Sequence, residues 1–301
     1  SPDTPQNLSR VERRYRTALK NSPVLFAKVD TDLRYEWVYN PHPDFDPDDL
    51  EPRRPDAKSG KASLDYIQTA AELVRGGRAD ALVTGPIHKE AIAAAGCQHP
   101  GHTEMLAEAC GAEQPVMLMV SGGVRVGMAT THVALRDVPE LLTTDGLVRV
   151  GRILARDVER YFCGSAPVLA VCGLNPHCGD GGRFGAEEGD LIEPAVEQLR
   201  ETGVDARGPL PADTVFERAD AGAYDAVLAM YHDQGMIPVK FRGLDTVVNV
   251  TLGLDFIRTS VGHGTAYDIA GTGRASEGSL LEAVRVAVRM VNTASDRENA
   301  P

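Results

Sequence analysis

Short apolar runs bounded by polar or turn residues recur along the chain, at residues 79–85, 116–120, 124–130, 168–172, 226–230 and 247–252. Runs of this kind, apolar on both faces, read as buried strands of a parallel sheet. Segments with helical spacing stand between and around them. The clearest is 62–75, with Leu64, Ile67, Ala71 and Val74 on one face, and others fall at about 144–161, 190–202 and 279–293. Strand and helix alternating in this way predict a doubly wound α/β fold with a largely parallel sheet. The opening is different. Residues 1–9 are polar, 11–21 have helical character ended by Pro23, and 24–30 and 34–40 read as two strands joined by the turn 31–33. Residues 41–55, rich in proline and aspartate, have the composition of a linker.

A chain of 301 residues exceeds the usual single-domain size, so two lobes are expected. A formal net charge of −12 excludes a general affinity for nucleic acid or anionic membranes, which needs a basic face. An anionic ligand must then find a local cationic pocket. The five cysteines (Cys97, Cys110, Cys163, Cys172 and Cys178) are odd in number, scattered and without C-x-x-C spacing, the pattern of reduced thiols. No apolar stretch approaches a membrane span and the first residues lack a signal-peptide core, so a cytoplasmic protein is expected.

Three of the apolar runs deliver a histidine at their carboxyl end: His132 after 124–130, His177 after 166–176 and His232 after 226–230. In open α/β sheets that rim is where ligands bind. Three strand ends meeting there can assemble an open metal site with positions left for water or substrate. Lys240, Asn249 and Arg258 follow His232 at short range. Arg258-Thr-Ser can hold a phosphate or be a solvated surface charge. Asn249, polar within an apolar strand, needs a partner. Gly101-His102-Thr103 puts a histidine and a hydroxyl at a helix start, which suits either an anion or a plain helix cap. The glycine-dense loop 175–185 lacks the G-x-G-x-x-G register, and Ser59-Gly60-Lys61 lacks the earlier glycine of a P-loop.

From about residue 55 to 292 the chain resembles the 4-hydroxythreonine-4-phosphate dehydrogenase (PdxA) family of pyridoxal phosphate biosynthesis, with its relatives acting on 4-phosphorylated threonate or erythronate. The motifs fall in order: Thr84-Gly-Pro-Ile-His-Lys, Gly101-His-Thr-Glu, Thr130-Thr-His-Val-Ala-Leu-Arg-Asp-Val, Gly173-Leu-Asn-Pro-His, Gly208-Pro-Leu-Pro-Ala-Asp-Thr, Tyr231-His-Asp-Gln-Gly, Asn249-Val-Thr-Leu-Gly-Leu, Phe256-Ile-Arg-Thr-Ser and His263-Gly-Thr-Ala. The resemblance implies a two-lobed fold like that of isocitrate and isopropylmalate dehydrogenases, with the site in the cleft, working as a homodimer in which residues of the partner complete each site. It implies a divalent metal (zinc, with magnesium or cobalt as alternatives) on His132, His177 and His232, and NAD or NADP as oxidant. It implies substrate contacts at His102, Thr103, Lys240, Asn249 and Arg258, with Lys240 counted beside the histidines as catalytic. The reaction implied is oxidation of a secondary alcohol to a 3-oxo acid that loses carbon dioxide.

Two departures stand out. Family members begin with a strand and a glycine-rich Gly-Asp-Pro motif, whereas residues 12–48 here resemble the start of a PAS sensor domain. The expected organisation is therefore a PAS-like segment and linker over 1–51 and a dehydrogenase region over 52–301 with an incomplete first lobe, its metal and substrate lobe at about 99–272. Gly262 also stands where the family usually has aspartate. Two other readings remain: a dehydrogenase of a carboxylated cis-dihydrodiol, or a metal- or ligand-binding fusion protein impaired in catalysis.

Overall fold

The computed structural model describes residues 26–29, 35–39, 55–269 and 272–298. The helix expected at 11–21, the turn at 31–33, the linker and most of the PAS-like stretch lie outside them. The elements in order are β1 (Phe26–Val29), β2 (Tyr35–Tyr39), α1 (Ala57–Arg75), β3 (Ala81–Thr84), α2 (Lys89–Ala94), α3 (His102–Cys110), β4 (Val116–Ser121) and β5 (Val124–Met128). There follow α4 (Thr144–Val158), β6 (Val168–Cys172), α5 (Glu193–Glu201), β7 (Asp205–Leu210), α6 (Ala212–Asp220), β8 (Ala226–Ala229), α7 (His232–Phe241), β9 (Val248–Leu252), β10 (Ile257–Val261) and α8 (Gly278–Glu298). Two compact units result: one holds the chain up to Arg78 with Ile87–His102 and Thr265–Ala275, the other Ala79–Pro86, Thr103–Gly264 and the chain from Ser276.

In the first unit β1 and β2 pair antiparallel, as their sequence predicts. Helix α1 begins earlier than its apolar periodicity suggests, because Asp56 and Ser59 form a capping box. The Asp56 carboxylate accepts from the Ser59 N–H at 2.7 Å, and the Ser59 hydroxyl accepts from the Asp56 N–H at 3.2 Å. That backbone bond also holds the Asp56 carboxyl below the usual carboxylate range. Gly60, inside α1, lets the helix lie directly on α2: a β-carbon there would overlap the Ala91 carbonyl oxygen.

The second unit is built on an eight-stranded sheet of order β3-β10-β9-β4-β5-β8-β6-β7. The pairings β3–β10, β5–β8, β8–β6 and β6–β7 are parallel, while β10–β9, β9–β4 and β4–β5 are antiparallel. Parallel pairing prevails, as the alternation of elements predicts, but the antiparallel block in the middle is not visible in the apolar runs. Gly122-Gly123 closes β4 and β5 into a hairpin, with Gly122 at φ 59°, the backbone that primed hairpin turns require. Helices cover both faces. Residues of α4, α5 and α8 such as Leu154, Leu199 and Val286 pack on one face against Leu118, Val171, Leu228 and Val250. On the other, Val215 of α6 with Met236 and Val239 of α7 pack against Met119, Val126, Ala170 and Val227.

The contact of α1 with α2 gives a direct check. Gly60→Ala must force the helices apart, and a loss of about 1–3 kcal/mol is expected, as for other overpacked interiors. Urea unfolding reads it; an unmoved midpoint would mean the helices do not approach this closely.

Candidate active site

Strands β5, β8 and β6 are neighbours in the sheet and run parallel, so their carboxyl ends form one continuous stretch of rim. His132 follows β5, His232 begins α7 directly after β8, and His177 lies in the loop after β6. The pairing of β5 with β8 extends beyond the strands: Ala129 N–H donates to the Ala229 carbonyl at 2.8 Å, and the Thr130 hydroxyl to the Met230 carbonyl at 2.8 Å. That brings the His132 and His232 rings to 5.5 Å between centroids. Two imidazoles sharing one ion at a metal–nitrogen distance of about 2.1 Å place their centroids about 5 Å apart, so this pair fits a common divalent ion. His232 Nδ1 lies 2.7 Å from Asp233 Oδ1. A carboxylate on Nδ1 orients the ring and leaves Nε2 as the ligand nitrogen.

His177 does not join them: among the described residues no group of three or more His, Cys, Asp or Glu is placed to hold a metal. It is exposed, within a loop of unusual backbone, where His177, Cys178 and Asp180 have φ of 54°, 53° and 45°. Non-glycine residues in that region cost about 1–3 kcal/mol each and mark sites where the surroundings dictate the path. Cys178 turns inward, its sulfur 2.9 Å from where a β-carbon on Gly173 would stand, and burial pushes its thiol pKa up.

The second feature is a polar patch on the β3–β10–β9 part of the sheet. Register places Arg258 opposite Thr251 and Ser260 opposite both Asn249 and Thr84. With strand side chains alternating, Thr84, Thr251, Asn249, Arg258 and Ser260 share one face. Arg258 is 3% exposed. Its guanidinium donates to Thr251 Oγ1 at 2.9 Å and Thr84 Oγ1 at 2.8 Å, while Nε has no partner. The reading of Arg258 as a solvated surface charge is therefore overturned. No carboxylate of the described residues lies within ion-pair distance of it, and burial lowers its pKa to about 10, with Glu104 of α3 opposing the shift from further away. The Asn249 side-chain oxygen is also buried and unpartnered. A buried cation held only by neutral hydroxyls keeps its charge for an incoming anion.

Lys240 stands in the last turn of α7, half-buried. Because α7 packs through Met236 and Val239 on the sheet face that carries Met119, and Met119 pairs with Asn249, Lys240 is on the same side of the sheet as Arg258. His102 and Thr103 open α3, both half-buried. Sequence reasoning missed Thr84 and Thr251, whose only signal is a hydroxyl inside an apolar strand, and the buried Gln234 and Glu188: Gln234 accepts from the Met230 N–H and donates to the Gly173 carbonyl, and Glu188 accepts from the Leu174 and Asn175 N–H groups.

The fold is thus that of an α/β protein whose sheet rim brings two imidazoles together and whose strands bury an arginine between two threonine hydroxyls. The family model described as "Pyridoxal phosphate biosynthetic protein PdxA" matches residues 11–287. A 4-hydroxythreonine-4-phosphate dehydrogenase of Geobacter metallireducens is 51% identical over 253 residues, 84% of this chain and 74% of that protein. The crystal structure of the enzyme of that name from Klebsiella pneumoniae matches with a TM-score of 0.77 at 40% identity, covering 82% of this chain and 75% of its own. A terephthalate 1,2-cis-dihydrodiol dehydrogenase from Burkholderia xenovorans matches with a TM-score of 0.62 at 33% identity, over 81% of this chain and 78% of its own. The chain belongs to the PdxA family. The family match begins at residue 11 and runs through the stretch 12–48 that resembles a PAS opening.

Since Arg258 has no carboxylate partner, an anion beside it should stabilise the fold. Inorganic phosphate is expected to raise the thermal midpoint of the parent chain and leave that of Arg258→Met unmoved. Equal shifts in both would put the anion elsewhere.

Proposed function

We propose that the chain is a divalent-metal-dependent, NAD(P)-linked dehydrogenase of a 4-phosphorylated hydroxy acid, with 4-phosphohydroxy-L-threonine as first candidate, and so serves pyridoxal phosphate biosynthesis. The observation that carries this reading is the buried Arg258, with no carboxylate of the described residues at ion-pair distance, on the sheet whose rim pairs two imidazoles. His132 and His232 would hold the ion, zinc before magnesium or cobalt, with His177, which stands apart from them within the chain, as the third ligand the resemblance implies. Such an ion supplies Lewis acidity at the oxygen of the substrate's secondary alcohol. Arg258 and Asn249 would take the phosphate, and His102 and Thr103 would bind further along the substrate. A bound nicotinamide would supply the hydride acceptor. Lys240 is the group available to accept the hydroxyl proton and, once the carbon–carbon bond to the carboxylate of the 3-oxo acid has broken to release carbon dioxide, to return a proton to the carbon left behind.

A carboxylated cis-dihydrodiol is the second reading, because a guanidinium grips carboxylate as well as phosphate and the terephthalate dihydrodiol enzyme shares the fold at 33% identity. A cytoplasmic setting goes with either substrate: all five cysteines are thiols outside any disulfide, and among the described residues no helix is long and apolar enough to cross a membrane. A homodimer is in keeping with the apolar stripe Leu281, Val284 and Val288 exposed along α8. Light scattering at the mass of two chains is the expected result.

NAD+ or NADP+ reduction with zinc or magnesium should be seen with 4-phosphohydroxythreonine or 4-phosphothreonate and not with a dihydrodiol carboxylate. Arg258→Lys keeps the charge but loses the fork, so its KM is expected to rise about tenfold or more, as for a lost charge-assisted pair. Turnover of the dihydrodiol alone would favour the second reading, and an unchanged KM would remove Arg258 from the site.

A further inference from the structure

We infer that Thr84 and Thr251 complete the anion site of Arg258, each giving its hydroxyl hydrogen to the oxygens of a bound phosphate monoester while its lone pair holds the guanidinium. The inference rests on the reading of Arg258 as the group that takes the substrate's phosphate.

The guanidinium spans three strands. Thr251 stands directly opposite Arg258 on β9, and Thr84 ends β3 on the other side of β10. Nη1 donates to Thr251 Oγ1 at 2.9 Å and Nη2 to Thr84 Oγ1 at 2.8 Å, and both threonines are buried. A hydroxyl has two lone pairs and one hydrogen. With a lone pair turned to a cation, the hydrogen turns away from it. Buried hydroxyls elsewhere in this unit give that hydrogen to a carbonyl: Thr259 donates to Ala283 at 2.9 Å, on the opposite face of β10, and Ser279 donates to Val247 at 3.2 Å. Among the described residues Thr84 and Thr251 have no such acceptor. The Asn249 side-chain oxygen on their face takes neither hydrogen, since it has no partner itself.

Two O–H groups and the Arg258 Nε–H, all at one buried cation, are thus left without an acceptor among the described residues. The group that fits them is an oxyanion, which only accepts and brings the opposite charge. The kind of acceptor set against the arginine points the same way. A backbone carbonyl would hold the guanidinium as well but could give nothing to a ligand, and a carboxylate would neutralise it. A hydroxyl accepts from the cation and still donates. The threonines could instead be plain struts that satisfy the arginine, and an anion would then feel them only through where they put the guanidinium. The oxygens of the anion separate the two roles. A phosphate monoester has three terminal oxygens, two for the guanidinium fork and one more for the hydroxyls. A carboxylate has two, and the fork takes both. Struts would therefore serve the two anions alike, whereas donating hydroxyls favour phosphate.

Calorimetric titration of the full chain with inorganic phosphate and with acetate, beside a crystal structure of the phosphate complex, provides the test. Thr84→Val and Thr251→Val keep the shape and lose the hydroxyl. Each is expected to bind phosphate at least about tenfold more weakly, the effect of losing a hydrogen bond to a charged group, while acetate affinity moves by less than about twofold. Thr84→Ser and Thr251→Ser keep the hydroxyl and should stay within about threefold of the parent for both anions. In the crystal both Oγ1 atoms should lie about 2.5–3.0 Å from phosphate oxygens. That measurement needs no variant, so it answers even where a valine variant does not fold. Phosphate on Arg258 with either threonine out of hydrogen-bond reach would overturn the inference and leave Arg258 as the anion's partner. Parental phosphate affinity in a folded valine variant, or equal losses of phosphate and acetate, would do the same. Parental phosphate affinity in Arg258→Met would overturn that reading and the inference together.

Discussion

The parallel alignment of β5, β8 and β6 is the constraint on which the site depends. Each strand's pairing with the next fixes where its carboxyl end stops, so residues far apart in sequence emerge side by side: His132 and His232 reach 5.5 Å between ring centroids through backbone pairing that runs on to Thr130 and Met230. The register is rigid because each strand is packed on both faces. Leu228 and Val171 face the core under α4 and α5, and their neighbours Val227 and Ala170 face the core under α6 and α7. A slip by one residue would exchange these sets and move every rim side chain with them.

Electrostatics supply the second requirement. The chain carries a formal charge of −12 and would repel an anionic substrate in general, yet Arg258 is buried with two threonine hydroxyls and no carboxylate for company. Burial weakens its hold on its proton, to a pKa of about 10, which still leaves it charged near neutral pH. An arginine neutralised by a carboxylate would be more comfortable in the fold and less useful to a phosphate. The hydroxyls orient the guanidinium without spending its charge.

Much of this was legible in the sequence. Continuous apolar runs revealed most of the central strands, and of the three histidines that follow such runs His132 and His232 come together at the rim while His177 stands apart. What stayed hidden was set by contacts between distant segments. The antiparallel block runs from β5 through β4 and β9 to β10, closed by the Gly122-Gly123 turn between β4 and β5 and by residues 253–256 between β9 and β10, and strand β10, Ile257–Val261, carries a charge that breaks its apolar pattern. Arg258 looked as much like a surface residue as a buried one because Thr84, its partner, is 174 positions away. Gln234 and Glu188 gave no periodic signal at all; their meaning lies in the carbonyl and N–H groups they meet. The start of α1 at Ala57 was missed for a simpler reason, an Asp56–Ser59 capping box that lies ahead of the first apolar repeat.

The central proposal is that the imidazoles paired at the rim, His132 and His232, bind one ion, and X-ray absorption at the zinc edge of the loaded chain tests it most directly. The expected result is a first shell made of nitrogen and oxygen at about 2.0–2.1 Å, with the multiple-scattering pattern of imidazole rings. A sulfur scatterer at about 2.3 Å would contradict it, since that is a thiolate distance and would put a cysteine on the metal in place of a rim imidazole.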